Sequence, residues 1–161
     1  MLIENKIGNL STMPVEGKSI DWLMLEWYET RKKIIRKKTS SGRELALKLL
    51  NANTELNEGD VLLEEADTLT VISIISCDCI VIKPNNLLET ASLCYEIGNR
   101  HLPLFYEGEM LLTPSDTPFF NWLIKQGYAA QTETKKLLQP LSTTVAPHNI
   151  GFSQDFVITA L

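Results

Sequence analysis

Near Ser76 the hydrophobic pattern of this chain changes period, and that change restricts the folds open to it. Before it, apolar residues recur in short runs at period two, separated by turn clusters. After it, two amphipathic stretches at helical spacing alternate with short apolar runs. A chain divided in this way is expected to be α+β. We expect a β-rich N-terminal domain over residues 1–76, a small sandwich or barrel. A mixed domain follows over residues 77–141, and then a polar, proline-interrupted tail over residues 142–161.

In the first part, the bulky run 22–28 reads as a strand. Residues 31–38 pack six positive charges into eight positions, which the sequence allows as a solvated hairpin or as a partner-facing patch. Thr39-Ser40-Ser41-Gly42 is a turn cluster. Leu45, Leu47 and Leu49 then share one face of a strand, Asn57-Glu58-Gly59-Asp60 is a second turn, and residues 69–75 are β-branched and apolar.

In the second part, Cys79-Ile80-Val81-Ile82 predicts a strand closed by Lys83-Pro84. Asn86 with Glu89 three residues on predicts a helix start, with Leu87, Ala91, Cys94, Tyr95 and Gly98 on its apolar face and Gly98-Asn99 at its exit. Two short strands follow over 102–106 and 109–112. A second helix is capped by Ser115 or Asp116, carries Phe119, Phe120, Leu123 and Ile124 on its apolar face and stops at Gly127. A last strand is expected over 134–138. The resulting order, β-α-β-β-α-β, is that of the ferredoxin-like fold.

Composition narrows the function classes. At 161 residues and 44% hydrophobic the chain can bury a real core, and no apolar run reaches the roughly 20 residues of a membrane span. Three cysteines and no recognisable secretory leader point to a reducing cytoplasm. A net charge of -5 speaks against general nucleic-acid binding. Phosphate-binding glycine loops, nucleophile elbows and His-Glu-x-x-His are all missing from the sequence, so we expect no enzyme.

With two histidines in the chain, the residues able to carry chemistry are few. His101 lies in Gly98-Asn99-Arg100-His101-Leu102-Pro103, between the first helix and the strand after it. Neutral imidazole suits nickel, copper and zinc, yet one imidazole is an incomplete site, and a solvent-exposed or structural histidine fits the residues as well. Arg100 has no lone pair for a metal, and Asn99 can form the turn or orient the ring. His148, in Ala146-Pro147-His148-Asn149, is an extra ligand or a plain tail residue. Cys77 and Cys79 point to one strand face and read as core, as does Cys94. Glu107, Glu109 and Asp116 are acids that follow His101.

The Gly-Asn-Arg-His-Leu-Pro segment resembles the Gly-Asn-Arg-His-x-Pro signature of the UreE family of urease accessory proteins, which are nickel metallochaperones. Glu58-Gly59-Asp60-Val61-Leu62 is similar to the family's Gly-Asp-x-Leu segment, and Arg43 with residues 39–49 to its N-terminal turn-and-strand pattern. The resemblance spans nearly the whole chain. It implies a cytoplasmic homodimer, joined through the C-terminal domain, that carries Ni²⁺ between paired copies of His101, with Zn²⁺ or Cu²⁺ able to substitute in vitro. The implied receivers are the accessory GTPase UreG and the urease apoprotein complex, with no nucleic acid and no membrane involved. Many family members carry a histidine-rich tail; here His148 stands alone, which argues against metal storage. A metal-free protein-interaction module of the same architecture is the alternative.

Overall fold

A computed structural model describes residues 1–15, 17–49 and 55–141. The protein is α+β, as the change of period requires. Residues 2–74 contribute the strands β1 (Leu2–Ile3), β2 (Gly8–Asn9), β3 (Ser19–Leu25), β4 (Ile34–Lys38), β5 (Glu44–Lys48), β6 (Asp60–Glu64) and β7 (Thr68–Ile74). They form two sheets, ordered β1-β5-β4 and β2-β6-β7-β3. The period-two leucines Leu45, Leu47 and Leu49 are buried in one cluster with Leu23, Leu25, Ile72 and Ile74, so the two sheets share a core. A bulge between Val61 and Leu63 turns two consecutive residues, Leu62 and Leu63, toward the shared core. Val61 joins Leu69 and Val71 on the other side.

The run 22–28 is not one strand. β3 ends at Leu25, and Trp27–Glu29 form a single 3₁₀ turn. Local hydrogen bonding outweighs the strand propensity of the aromatics: the Glu26 amide donates to Glu29 Oε2 (2.9 Å) and the Glu29 amide to the Glu26 carbonyl (2.9 Å). The turn places Glu29 against the basic hairpin, where Lys37 and Lys32 (3.6 Å) pair with it. Those lysines and the backbone bond outweigh partial burial and hold the Glu29 carboxyl below its usual range. Arg31 pairs with Glu55 (2.8 Å) and Lys38 with Glu44 (3.2 Å). Much of the charge in 31–38 is therefore balanced within the chain.

Asp21 ties β3 to the turn at the β4–β5 hairpin. Its buried carboxylate accepts from Ser40 Oγ (3.0 Å), the Ser41 amide (2.9 Å) and Ser41 Oγ (2.7 Å). Burial alone would raise its pKa, but bonds from Thr39, Ser41 and Ser40 together overcome this and hold it at about 2. A carboxyl depressed in the folded state stabilises the fold above the unfolded value near 3.8, and that contribution is lost as pH falls toward 2. Asp21→Asn is expected to flatten the acid limb of a stability–pH curve between about pH 4 and 2, read by urea unfolding. An unchanged limb would show that other carboxylates set it.

The second part reads β8 (Cys77–Ile82), α1 (Leu87–Asn99), β9 (Phe105–Glu107), β10 (Met110–Pro114), α2 (Thr117–Gln126) and β11 (Ala130–Lys135). All pairings are antiparallel and the sheet order is β11-β8-β10-β9, the ferredoxin-like arrangement expected from the sequence. Both helices cover one sheet face, where Ile80, Ile82, Leu93, Ile97, Leu111, Phe119 and Leu123 are buried together. On the opposite face Cys79, Val81, Phe105, Leu112 and Leu137 pack with Trp27 from the 3₁₀ turn; the Trp27 and Phe105 rings meet edge to face at 5.6 Å. Lys136 adds a polar tie, reaching Glu58 (2.7 Å) and Ser73 Oγ (2.9 Å).

Caps set the helix starts. The Asn86 side chain accepts from the Glu89 amide (2.9 Å), and Asp116 from the Phe119 amide (2.7 Å) with Pro118 in the first turn. Three expectations need correction. The apolar face of α1 is rotated from the one expected: Leu93 and Ile97 are buried, whereas Leu87 and Tyr95 are 85% and 71% exposed. Ile124 of α2 is also exposed. The last strand spans Ala130–Lys135, earlier than expected, because it begins in register with Ile82 directly after the Gly127 turn; Leu137 lies beyond it and plugs the opposite face. No helix among the described residues is long and apolar enough to cross a membrane.

Candidate functional site

The exit of α1 is where the structure departs most from expectation. Gly98 and Asn99 remain helical, and the left-handed residue is His101 itself, at φ 56°. Its amide donates to the Gly98 carbonyl (3.0 Å) and the Leu102 amide to the Ile97 carbonyl (3.1 Å). Those two bonds, with Leu102 and Ile97 in one apolar cluster, make a Schellman motif. Helix α2 ends in the same motif: Gly127, at φ 83°, donates to Ile124 (3.0 Å) and Tyr128 to Leu123 (3.0 Å). The two helices differ in the residue at the left-handed position. Glycine occupies it in α2 at no steric cost. In α1 it is a histidine, the single non-glycine residue with positive φ among the described residues.

The motif dictates the setting of the imidazole. Leu102 must turn back into the core to cover Ile97, and the residue before it is thrown outward. His101 is accordingly exposed on a connection that is hydrogen-bonded and anchored by apolar contact. Arg100 is not a free solvated cation. Its guanidinium lies 4.9 Å from the Trp122 ring and 5.4 Å from the Phe119 ring, with Nε 3.7 Å from Glu96. Sequence reasoning did not single out Trp122; its place three residues after Phe119 on α2 was the available signal.

The acids following His101 are engaged elsewhere or stand apart. Glu107 pairs with Lys135, Asp116 caps α2, and Glu109 is exposed in the β9–β10 turn beside Gly108. The cysteines behave as core. Cys79 is buried with its thiol donating to the Glu133 carbonyl (3.3 Å), and burial raises the pKa of Cys77, Cys79 and Cys94 alike. No three His, Cys, Asp or Glu side chains among the described residues are grouped as metal ligands. His148 lies outside the described residues.

A β-sandwich followed by a ferredoxin-like unit, with one imidazole displayed at a helix terminus, defines a protein that presents a side chain on a rigid support rather than enclosing it in a cleft. Comparison with known proteins gives that class its family. The family model described as UreE urease accessory protein, N-terminal domain, matches residues 3–74, and that for the C-terminal domain matches residues 77–155. The chain is 44% identical to the urease accessory protein UreE of Acetivibrio thermocellus over 88% of this chain and 92% of the relative. It is 38% identical to that of Flavobacterium johnsoniae over 92% and 90%. For that of Helicobacter pylori (strain G27) the identity is 36%, over 98% of each. The chain belongs to the UreE family of urease accessory proteins. Its role is in urease maturation, as an accessory protein and not as an enzyme.

Proposed function

We propose that the protein carries nickel for urease assembly, as a cytoplasmic homodimer that holds one Ni²⁺ between two copies of His101. The observation that carries this reading is the placement of an exposed imidazole where the same domain uses glycine 26 residues later, at the end of α2. A left-handed histidine costs the fold about 1 kcal/mol that glycine would avoid, so a purely structural cap would favour glycine here. An isologous dimer in which residues 77–141 of the two copies meet near His101 would bring the two rings to the two-fold axis. A shell left open in this way suits an ion that must be passed on.

His148 is proposed as an additional ligand. In support, the Leu141 amide donates to the Leu104 carbonyl (2.8 Å) and the Tyr106 amide to the Gln139 carbonyl (3.0 Å). Residues 139–141 therefore run antiparallel to 104–106, and the chain at Leu141 is heading toward His101. Residues 1–76 are proposed as the protein-contact domain, with the exposed Lys33 and Arg36 of the basic hairpin available to a partner. The proposed receivers are the accessory GTPase UreG and the urease apoprotein complex. Zn²⁺ and Cu²⁺ are expected to bind in vitro, since imidazole affinity follows the Irving–Williams order.

Calorimetric titration combined with sedimentation is the test. About one tightly held Ni²⁺ per dimer is expected. One independent tight site on each monomer would reject the shared ion. No tight site at all would leave a metal-free interaction module.

A further inference from the structure

We infer that Arg100 is the positioning residue of this site: stacked over Phe119 and Trp122 of α2, its guanidinium clamps the last turn of α1 and holds His101 in its left-handed conformation. The inference rests on the reading of His101 as the metal-presenting residue. Phe119 and Trp122 are neighbours on α2, with centroids 5.9 Å apart and ring planes nearly parallel, within 14°. The guanidinium carbon is 4.9 Å from the Trp122 centroid and 5.4 Å from that of Phe119, and a planar cation can lie over both at once. The Trp122 ring is backed in turn by Tyr128, at 5.8 Å.

Three features make this contact a clamp. First, Arg100 is the last residue with right-handed backbone angles, φ -82° and ψ -3°, so its anchor acts one peptide before the reversal at His101. Second, the anchor lies on a different helix, so it ties the end of α1 to α2. Helix ends fray unless tied, and a non-glycine residue stays left-handed when its surroundings over-determine it. Third, the competing ion pair with Glu96 is long, 3.7 Å, and both side chains are 36% exposed, so it contributes little. The stack is the contact that distinguishes arginine from lysine here.

The test uses the full-length protein with Arg100→Ala, Arg100→Lys and Trp122→Leu. Amide hydrogen exchange without metal reads the clamp directly. In Arg100→Ala the His101 and Leu102 amides are expected to exchange about tenfold faster, while amides of the central strand β8 keep their wild-type protection. Nickel affinity should fall by a similar factor. Lysine should restore neither, because an ammonium cannot stack across two rings. Trp122→Leu, which keeps the arginine and removes its platform, should open the same two amides. Unchanged exchange in Arg100→Ala, or full rescue by lysine, would overturn the clamp. The exchange measurement contains no nickel, so it tests the clamp even if His101→Ala were to bind nickel like wild type, a result that would sink the carrier reading instead.

Discussion

His101→Gly is expected to lose tight nickel binding and to gain stability. The two effects have different origins in one residue. The imidazole is the proposed ligand, so its removal should eliminate the site. The backbone at φ 56° is disfavoured for any side chain with a Cβ, by about 1 to 2 kcal/mol, and histidine tolerates it better than most. Glycine regains that strain and returns part of it through greater unfolded-state entropy. The net expectation is about 0.5 to 1 kcal/mol of added stability, a rise in Tm of about 2 to 3 °C for a chain of this size. His101→Ala should lose binding equally but gain nothing, since alanine keeps the Cβ. Calorimetry with nickel and thermal unfolding of both variants checks this. Tight binding by the glycine variant would remove His101 from the site, and a lower Tm than wild type would refute the strain argument.

Asp60→Ala is expected to destabilise the N-terminal sheets strongly. Asp60 is buried, and its carboxylate accepts from Lys6 Nζ (2.8 Å), Asn9 Nδ2 (3.0 Å) and the Asn57 amide (2.8 Å). It follows Gly59, whose φ of 79° allows the tight turn and whose missing Cβ leaves room for Asn9, 3.3 Å from where that atom would sit. One carboxylate thus joins β2, β6 and the chain leading into β6. Truncation would strand a backbone donor and a partly buried cation, at a cost of about 3 kcal/mol, discounted for the exposure of Lys6. A fall in Tm of roughly 10 °C is expected. A loss under about 1 kcal/mol would mean that the backbone bonds hold the turn without the side chain.

Much of this architecture was legible because local chemistry and tertiary packing agree. Asn86, Gly127 and the alternation of Leu45, Leu47 and Leu49 appear where the sequence puts them, and of the two caps it offered for α2, Asp116 is the one that bonds the Phe119 amide. The failures share a cause: more than one reading was available locally, and distant contacts chose. Helix α1 carries apolar residues on two faces. Leu87, Ala91 and Tyr95 make as good a stripe as Leu93 and Ile97, and only the sheet beneath selects the latter. Leu137 and Leu138 drew the last strand too late, because Leu137 serves a cluster on the far face and neither residue belongs to the ladder. At the site, the sequence marked His101 but assigned the left-handed turn to Gly98 or Asn99, the residues that tolerate it best. Leu102 decides the matter by needing to meet Ile97, which leaves His101 in the reversed position. Arg100 could be excluded as a ligand from its chemistry, whereas its aromatic platform is a tertiary fact.

The pairing of residues 139–141 with 104–106 has a consequence for solubility. A ferredoxin-like sheet has two lateral edges, and an open edge invites strands of other molecules to add to it. At β9 the chain lays its own returning segment along that margin, with Phe105 bridged to Pro140. Proline, lacking an amide hydrogen, is a poor template for further strand addition. The other margin, β11, is guarded differently, by Glu133 and Lys135 in an ion pair on a largely polar strand. A urease accessory protein has reason to keep the margins of its sheet from pairing with other copies of itself. These two edges, one covered and one charged, supply that restraint.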